Sequence, residues 1–180
     1  MPKTLIAVSD RQPAGEQWHA LWTRSHCEQR VHDALQAKGF EVFVPFIDVW
    51  SRRAERRRLA RAPLFPGYLF LRATMDKARY IDVSKTSGLV AILGERWDRL
   101  AVVPEPDIAA IQQALRANLP VLPHPFLAAG QRVRVARGPL TGVEGFLVGA
   151  NPAKGLLVIS IEMLQRSVAV EIDCTVVGAA

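Results

Sequence analysis

The chain is 180 residues long, 49% hydrophobic, and carries a formal net charge of +6. A chain of that size and composition can bury a core, which excludes intrinsic disorder. Two distant cysteines, Cys27 and Cys174, exclude a disulfide-built scaffold and read as reduced thiols of a cytoplasmic protein.

No apolar stretch approaches the roughly 20 residues of a membrane span. The apolar segment near the N-terminus is too short for a signal peptide, and residues 1–16 read as a loose tail. The charge is uneven, at +5 over residues 1–120 and +1 over residues 121–180. Mild basicity of this kind admits a nucleic-acid partner without requiring one.

In chain order, "WHALWT" (18–23) is short, aromatic and strand-like. A helix follows. Ser25 and Glu28 fit a capping box, Val31, Ala34 and Leu35 form its apolar stripe, and Gly39 is its expected stop. "FEVFVPFIDVW" is strand again. It leads into "SRRAERRRLAR" (51–61), where Arg52, Arg53, Arg56, Arg57, Arg58 and Arg61 crowd one short loop.

"PLFPGYLFLR" (63–72) then turns through Pro66-Gly67 into a strand that is apolar on both faces. With a period of two, Tyr68 and Phe70 point one way, Leu69 and Leu71 the other. The pattern predicts that Val42–Trp50 and Tyr68–Leu71 pair as a hairpin with the arginines at its tip. "DKARYIDVSKTSG" reads as a second helix ending at Gly88, and "LVAIL" and "LAVV" as short strands. Pro106 suits the first turn of a third helix with Ile108, Ile111 and Leu115 on one face. The order β-α-β-β-α-β-β-α predicts a mostly antiparallel sheet with helices packed on it.

Pro120, Pro123 and Pro125 then exclude a helix and favour an extended connector. Beyond it come "QRVRVA", "GFLVGA", "LLVISI" and "VAVEI", short strands with Gly and Pro turns between them, the pattern of a small β-barrel. The expected organisation is a tail over residues 1–16, an α/β domain over 17–117, a Pro-rich linker over 118–127 and a barrel over 128–180. The fold class is α+β.

Candidate chemistry is sparse. His26, Cys27 and His32 are close in sequence, but about 100° per residue fans them around the helix, whereas a metal site needs convergent ligands. No phosphate-binding glycine loop and no nucleophile elbow occurs. The carboxylates are scattered, with no pair set for acid–base work. The reading is a binding protein rather than an enzyme, without metal or cofactor. A strand apolar on both faces is either buried within its own domain or turned toward a partner, and the residues alone leave both open. A loop dense in arginine is either a solvated tip or a phosphate contact.

"GQRVRVARGPLTGVEGFLVG" (130–149) resembles a KOW motif. "WHALWTRSHCEQRVHDALQAKGFEVFVPF" with "PLFPGYLFLR" resembles the N-terminal (NGN) domain of NusG-type transcription elongation factors, and the likeness spans residues 17–177. The closest look is to specialised paralogues such as RfaH and capsule-operon antiterminators.

The resemblance implies an α/β sandwich that binds the clamp helices of RNA polymerase and suppresses pausing or termination. It matches the polymerase-contacting aromatics to Trp22, Phe65, Tyr68 and Phe70. It implies a partner of the KOW domain, a small-subunit ribosomal protein or a termination factor, docking at "EMLQRS" through Met163 and Leu164. The six arginines become candidates for contact with DNA near the transcription bubble, and the protein is expected to act as a monomer. RfaH has a His-Thr-Thr stretch in its second helix that touches another part of the polymerase. The aligned positions here are Arg79, Tyr80 and Ile81, a departure at that contact. The β-branched "LLVISI" and "VAVEI" favour a barrel, and the sequence leaves open a switch to a helical hairpin as in RfaH. The alternative is a ribosome-associated or RNA-binding KOW protein. Such a protein would concentrate its basic residues on the barrel, and the +1 there weighs against it.

Overall fold

The computed structural model describes residues 15–51, 58–124, 130–148, 154–173 and 176–180. The chain divides into two compact units, Met1–Val44 with Pro66–Val103, and Pro45–Phe65 with Pro104–Ala180. Each combines segments distant in sequence, so neither coincides with the linear division expected from the prolines.

The first unit is built on a four-stranded antiparallel sheet of order β2-β5-β1-β6. Its strands are β1 (Gln17–Thr23), β2 (Glu41–Phe43), β5 (Tyr68–Ala73) and β6 (Leu89–Ile92), and its helices are α1 (Glu28–Ala37) and α2 (Lys77–Ser84). Period-two alternation sends Leu21, Leu69, Leu71 and Ala73 to one face. There they pack with Val31 and Leu35 of α1, Val83 of α2, and Ile92 of β6. Burying each such Leu stabilises the fold by about 1.5–3 kcal/mol. Lys38, the residue that ends α1, donates to the Asp82 carboxylate (2.8 Å) and the Asp82 carbonyl (2.7 Å), tying the two helices together on this face. Asp76 caps α2 by accepting from the Arg79 N–H at 2.7 Å.

The second unit holds the hairpin of β3 (Phe46–Ser51) and β4 (Arg58–Pro63), helix α3 (Glu105–Arg116), and a six-stranded antiparallel sheet. That sheet has the order β14-β10-β11-β12-β13-β9. Its strands are β9 (Val121–His124), β10 (Gln131–Val135), β11 (Glu144–Val148), β12 (Lys154–Ile161), β13 (Arg166–Asp173) and β14 (Val177–Ala179). A small hairpin, β7 (Gly94–Arg96) with β8 (Arg99–Leu100), completes the first unit. The α+β class and the helix-on-antiparallel-sheet arrangement agree with the sequence reading.

Three local expectations are corrected. The capping box is not made: Cys27 occupies the N-cap of α1 with no side-chain cap, and Glu28 is already the first helical residue. The run from Glu41 to Ser51 is two strands, because Pro45 offers no N–H to a ladder. Only Glu41–Phe43 therefore pairs with β5, while β3 pairs with β4, a strand formed from the arginine-rich stretch itself. The Pro-rich connector is strand at its start, since β9 pairs antiparallel with β13 from Val121↔Val170 to His124↔Ser167. Pro123 is tolerated because β9 is the edge of its sheet.

Candidate protein-binding face of the first unit

The sheet face opposite α1 and α2 carries Trp18, Ala20 and Trp22 of β1, Phe43 of β2, and Tyr68, Phe70 and Arg72 of β5. Register sets them in cross-strand rows, Trp22 opposite Tyr68, Ala20 opposite Phe70, Trp18 opposite Arg72 and Phe43 opposite Phe70. The rows differ in accessibility. Trp22 is 46% exposed and Tyr68 half-buried, whereas Phe70 is 0% exposed. The Phe70 ring stacks on Phe43, and Phe43 meets the edge of Trp18 at 6.4 Å between centroids.

Of the four aromatics the resemblance pointed to, then, Trp22 and Tyr68 sit side by side at the accessible end of this face. Phe70 does not share that exposure, which corrects the expectation, because its ring is taken up by aromatic packing. Phe65 is corrected as well: it is 2% exposed and belongs to the other compact unit, next to Leu64, whose N–H closes the β3–β4 hairpin on the Pro45 carbonyl (2.8 Å).

The Pro66-Gly67 turn delivers Tyr68 to its place. Gly67 has φ +84°, a left-handed conformation that a side chain resists. Its carbonyl accepts from the Thr23 N–H at 2.8 Å, and its own N–H donates to Glu28 Oε1 at 2.8 Å. No sequence signal pointed to Glu28 in this role. Its spacing from Ser25 suggested a cap, and the bond to Gly67 spans 39 positions.

Arg61 is exposed and lies over the Phe46 ring at 4.4 Å, a cation–π contact across the β3–β4 pair. Arg58 opens β4. Arg52, Arg53, Arg56 and Arg57 lie outside the described residues. Within α2, the Arg79 guanidinium donates to the Thr74 carbonyl (2.9 Å), Tyr80 packs on the helix-side core and Ile81 is exposed.

In the second unit, Met163 and Leu164 fall in a single 3₁₀ turn, Glu162–Leu164. Leu164 is only 7% exposed, so it serves its own core, a correction to the expected docking pair; Met163 stays half-buried. On β10, Arg134 bonds the Glu144 carboxylate and Arg132 stands 4.0 Å from it. Glu144 carries both contacts, and the Arg134 guanidinium beside it holds its carboxyl below the usual range. Among the described residues no three His, Cys, Asp or Glu side chains are grouped as for a metal ion. No helix there is long and apolar enough to cross a membrane.

An antiparallel sheet backed by helices on one face and presenting aromatics on the other, joined in one chain to a six-stranded β domain, defines a two-part α+β architecture. The NusG family profile, described as transcription termination factor nusG, matches residues 16–112. The chain is 28% identical to the transcription termination/antitermination protein NusG of Yersinia pestis over 146 residues, 80% of each chain. It is 27% identical to the protein of the same name from Vibrio parahaemolyticus over 168 residues, 88% of this chain and 92% of that one. A solved structure of domain interaction in Thermotoga maritima NusG covers 90% of this chain and 96% of its own, with a TM-score of 0.52 and 16% identity, a likeness of fold. The chain belongs to the NusG family of transcription termination and antitermination factors.

Proposed function

We propose that this protein is a transcription elongation and antitermination factor that binds the clamp helices of RNA polymerase through the sheet face bearing Trp22 and Tyr68. The observation that carries this reading is the exposure of Trp22 beside Tyr68 on a face whose other aromatics are packed away. A large exposed indole next to a half-buried phenol is the composition of a protein-binding anchor, with wide apolar area and little side-chain entropy to lose. The family supports polymerase as the partner. The arginine-rich stretch would add contacts to DNA phosphates, and the β domain would recruit a ribosomal protein or a termination factor.

The RNA-binding alternative loses ground on β10. There Glu144 stands beside Arg134 and Arg132 and offsets one of their two positive charges, which weakens the pull of that strand on phosphate.

The test is binding to purified RNA polymerase by wild type, Trp22→Ala and Tyr68→Ala, with Leu122→Ala as an exposed apolar control on β9. Loss of an anchor costs about 2 kcal/mol or more of binding. Both sheet-face variants should bind weakly and the control normally. Wild-type affinity in Trp22→Ala and Tyr68→Ala would move the docking site elsewhere.

A further inference from the structure

We infer that Glu28 is a positioning residue for the Trp22–Tyr68 surface, acting through the backbone of Gly67. This rests on the docking reading above. Glu28 is buried, so it cannot itself reach a partner. It stands at the first position of α1, and its carboxyl accepts the Gly67 N–H at 2.8 Å. The Gly67 carbonyl is held by the Thr23 N–H.

Both polar groups of Gly67 are thus fixed, one by α1 and the other by β1, in a φ +84° conformation that the free chain would leave readily. The two docking aromatics flank this point. Tyr68 is the next residue. The Trp22 indole packs over Gly67, where an added Cβ would meet its Cδ1 and Nε1 at 3.7 Å. The helix that backs one face of the sheet therefore sets the geometry of the anchors on the other, through a single hydrogen bond to a side-chain carboxyl oxygen.

The experiment uses the full chain with Glu28→Ala, Glu28→Asp and Glu28→Gln. Gly67 amide exchange and the Trp22 indole resonance are read by NMR, and polymerase affinity is measured alongside. Gln keeps an oxygen acceptor at the same reach, whereas Asp keeps the charge but falls one methylene short. Glu28→Ala and Glu28→Asp should speed Gly67 exchange about tenfold, the size expected for one such bond. They should also shift the Trp22 signal and weaken polymerase binding several-fold, and Glu28→Gln should restore all three.

Adding Glu28→Ala to Tyr68→Ala should weaken binding by less than the sum of the two single effects, because the two act on one surface. Should Glu28→Ala fail to fold, Glu28→Asp carries the comparison. Unchanged Gly67 exchange in the Ala and Asp variants, or a fully additive double variant, overturns the inference. If Trp22→Ala and Tyr68→Ala bind polymerase normally, the docking reading falls, while Gly67 exchange and the Trp22 signal still decide what Glu28 holds.

Discussion

Phe43 and Phe70 face each other across β2 and β5, and their rings stack at 6.1 Å between centroids with 27° between planes. The pair turns part of an outward-looking sheet face into core. Truncating Phe70 should therefore act on folding. Phe70→Ala is expected to cost about 3–5 kcal/mol of stability, seen as a large drop in Tm. Trp22→Ala, which removes a half-exposed ring, should leave Tm almost unmoved. A Phe70→Ala protein with wild-type Tm would return that ring to the surface.

Gly145 tests the register of the second unit. A Cβ there would lie 2.5 Å from the Val158 carbonyl oxygen and 3.0 Å from Leu157 Cδ1, so β11 approaches β12 at a distance only glycine allows. Gly145→Ala should destabilise the chain by about 1–3 kcal/mol through overpacking, measured by denaturant unfolding. A neutral substitution would mean that β11 and β12 are paired differently.

The Pro-rich segment predicts a comparison of fragments. β9 adds an edge strand to β13, and Gln113 of α3 donates to the carbonyls of Pro139 (2.9 Å) and Thr141 (3.2 Å). A fragment of residues 104–180 should therefore unfold at higher denaturant than one of residues 125–180. Equal midpoints would make residues 104–124 a mere tether.

Asp107 introduces a pH dependence. Burial pushes its carboxyl up to about 6, opposed by Arg132 and reinforced by Glu162. A folded-state pKa above the unfolded one means the native chain binds more protons between about pH 4 and 6. The stabilising contribution is then complete below about pH 4 and disappears as pH rises through 6. Asp107→Asn should melt higher than wild type at pH 7.5 and match it near pH 4. His19, whose pKa burial lowers, pulls stability the other way in acid and is common to both proteins, so it cancels in the comparison. A variant that melts lower than wild type at pH 7.5 would reverse the assignment and give the attraction of Arg132 the larger weight.

Salt distinguishes the roles of the arginine-rich loop. Replacing Arg52, Arg53, Arg56 and Arg57 by Ser should weaken engagement of a polymerase elongation complex at low salt, and the gap should close as salt rises, because phosphate contacts release counterions. Identical salt curves for the two proteins would leave the loop as a solvated tip.

Periodicity was enough for the elements whose signal is local. The stripe of Val31 and Leu35 with the stop at Gly39, the alternation of Leu69 and Leu71, and the strand runs of the β domain all follow from neighbours within a turn or a pleat. The family, too, was legible in "PLFPGYLFLR" and in the KOW-like run. What lay beyond reach was every choice made between distant residues. Nothing near Glu28 says that its carboxyl serves Gly67 rather than its own helix. The prolines that mark a connector do not say that β13 has an edge to offer. Above all, Tyr68 and Phe70 share a strand, a face and a residue type, yet one remains accessible and the other is buried. That difference depends on Phe43, brought alongside Phe70 by a strand 27 residues earlier, and only the folded sheet sets the two rings in contact.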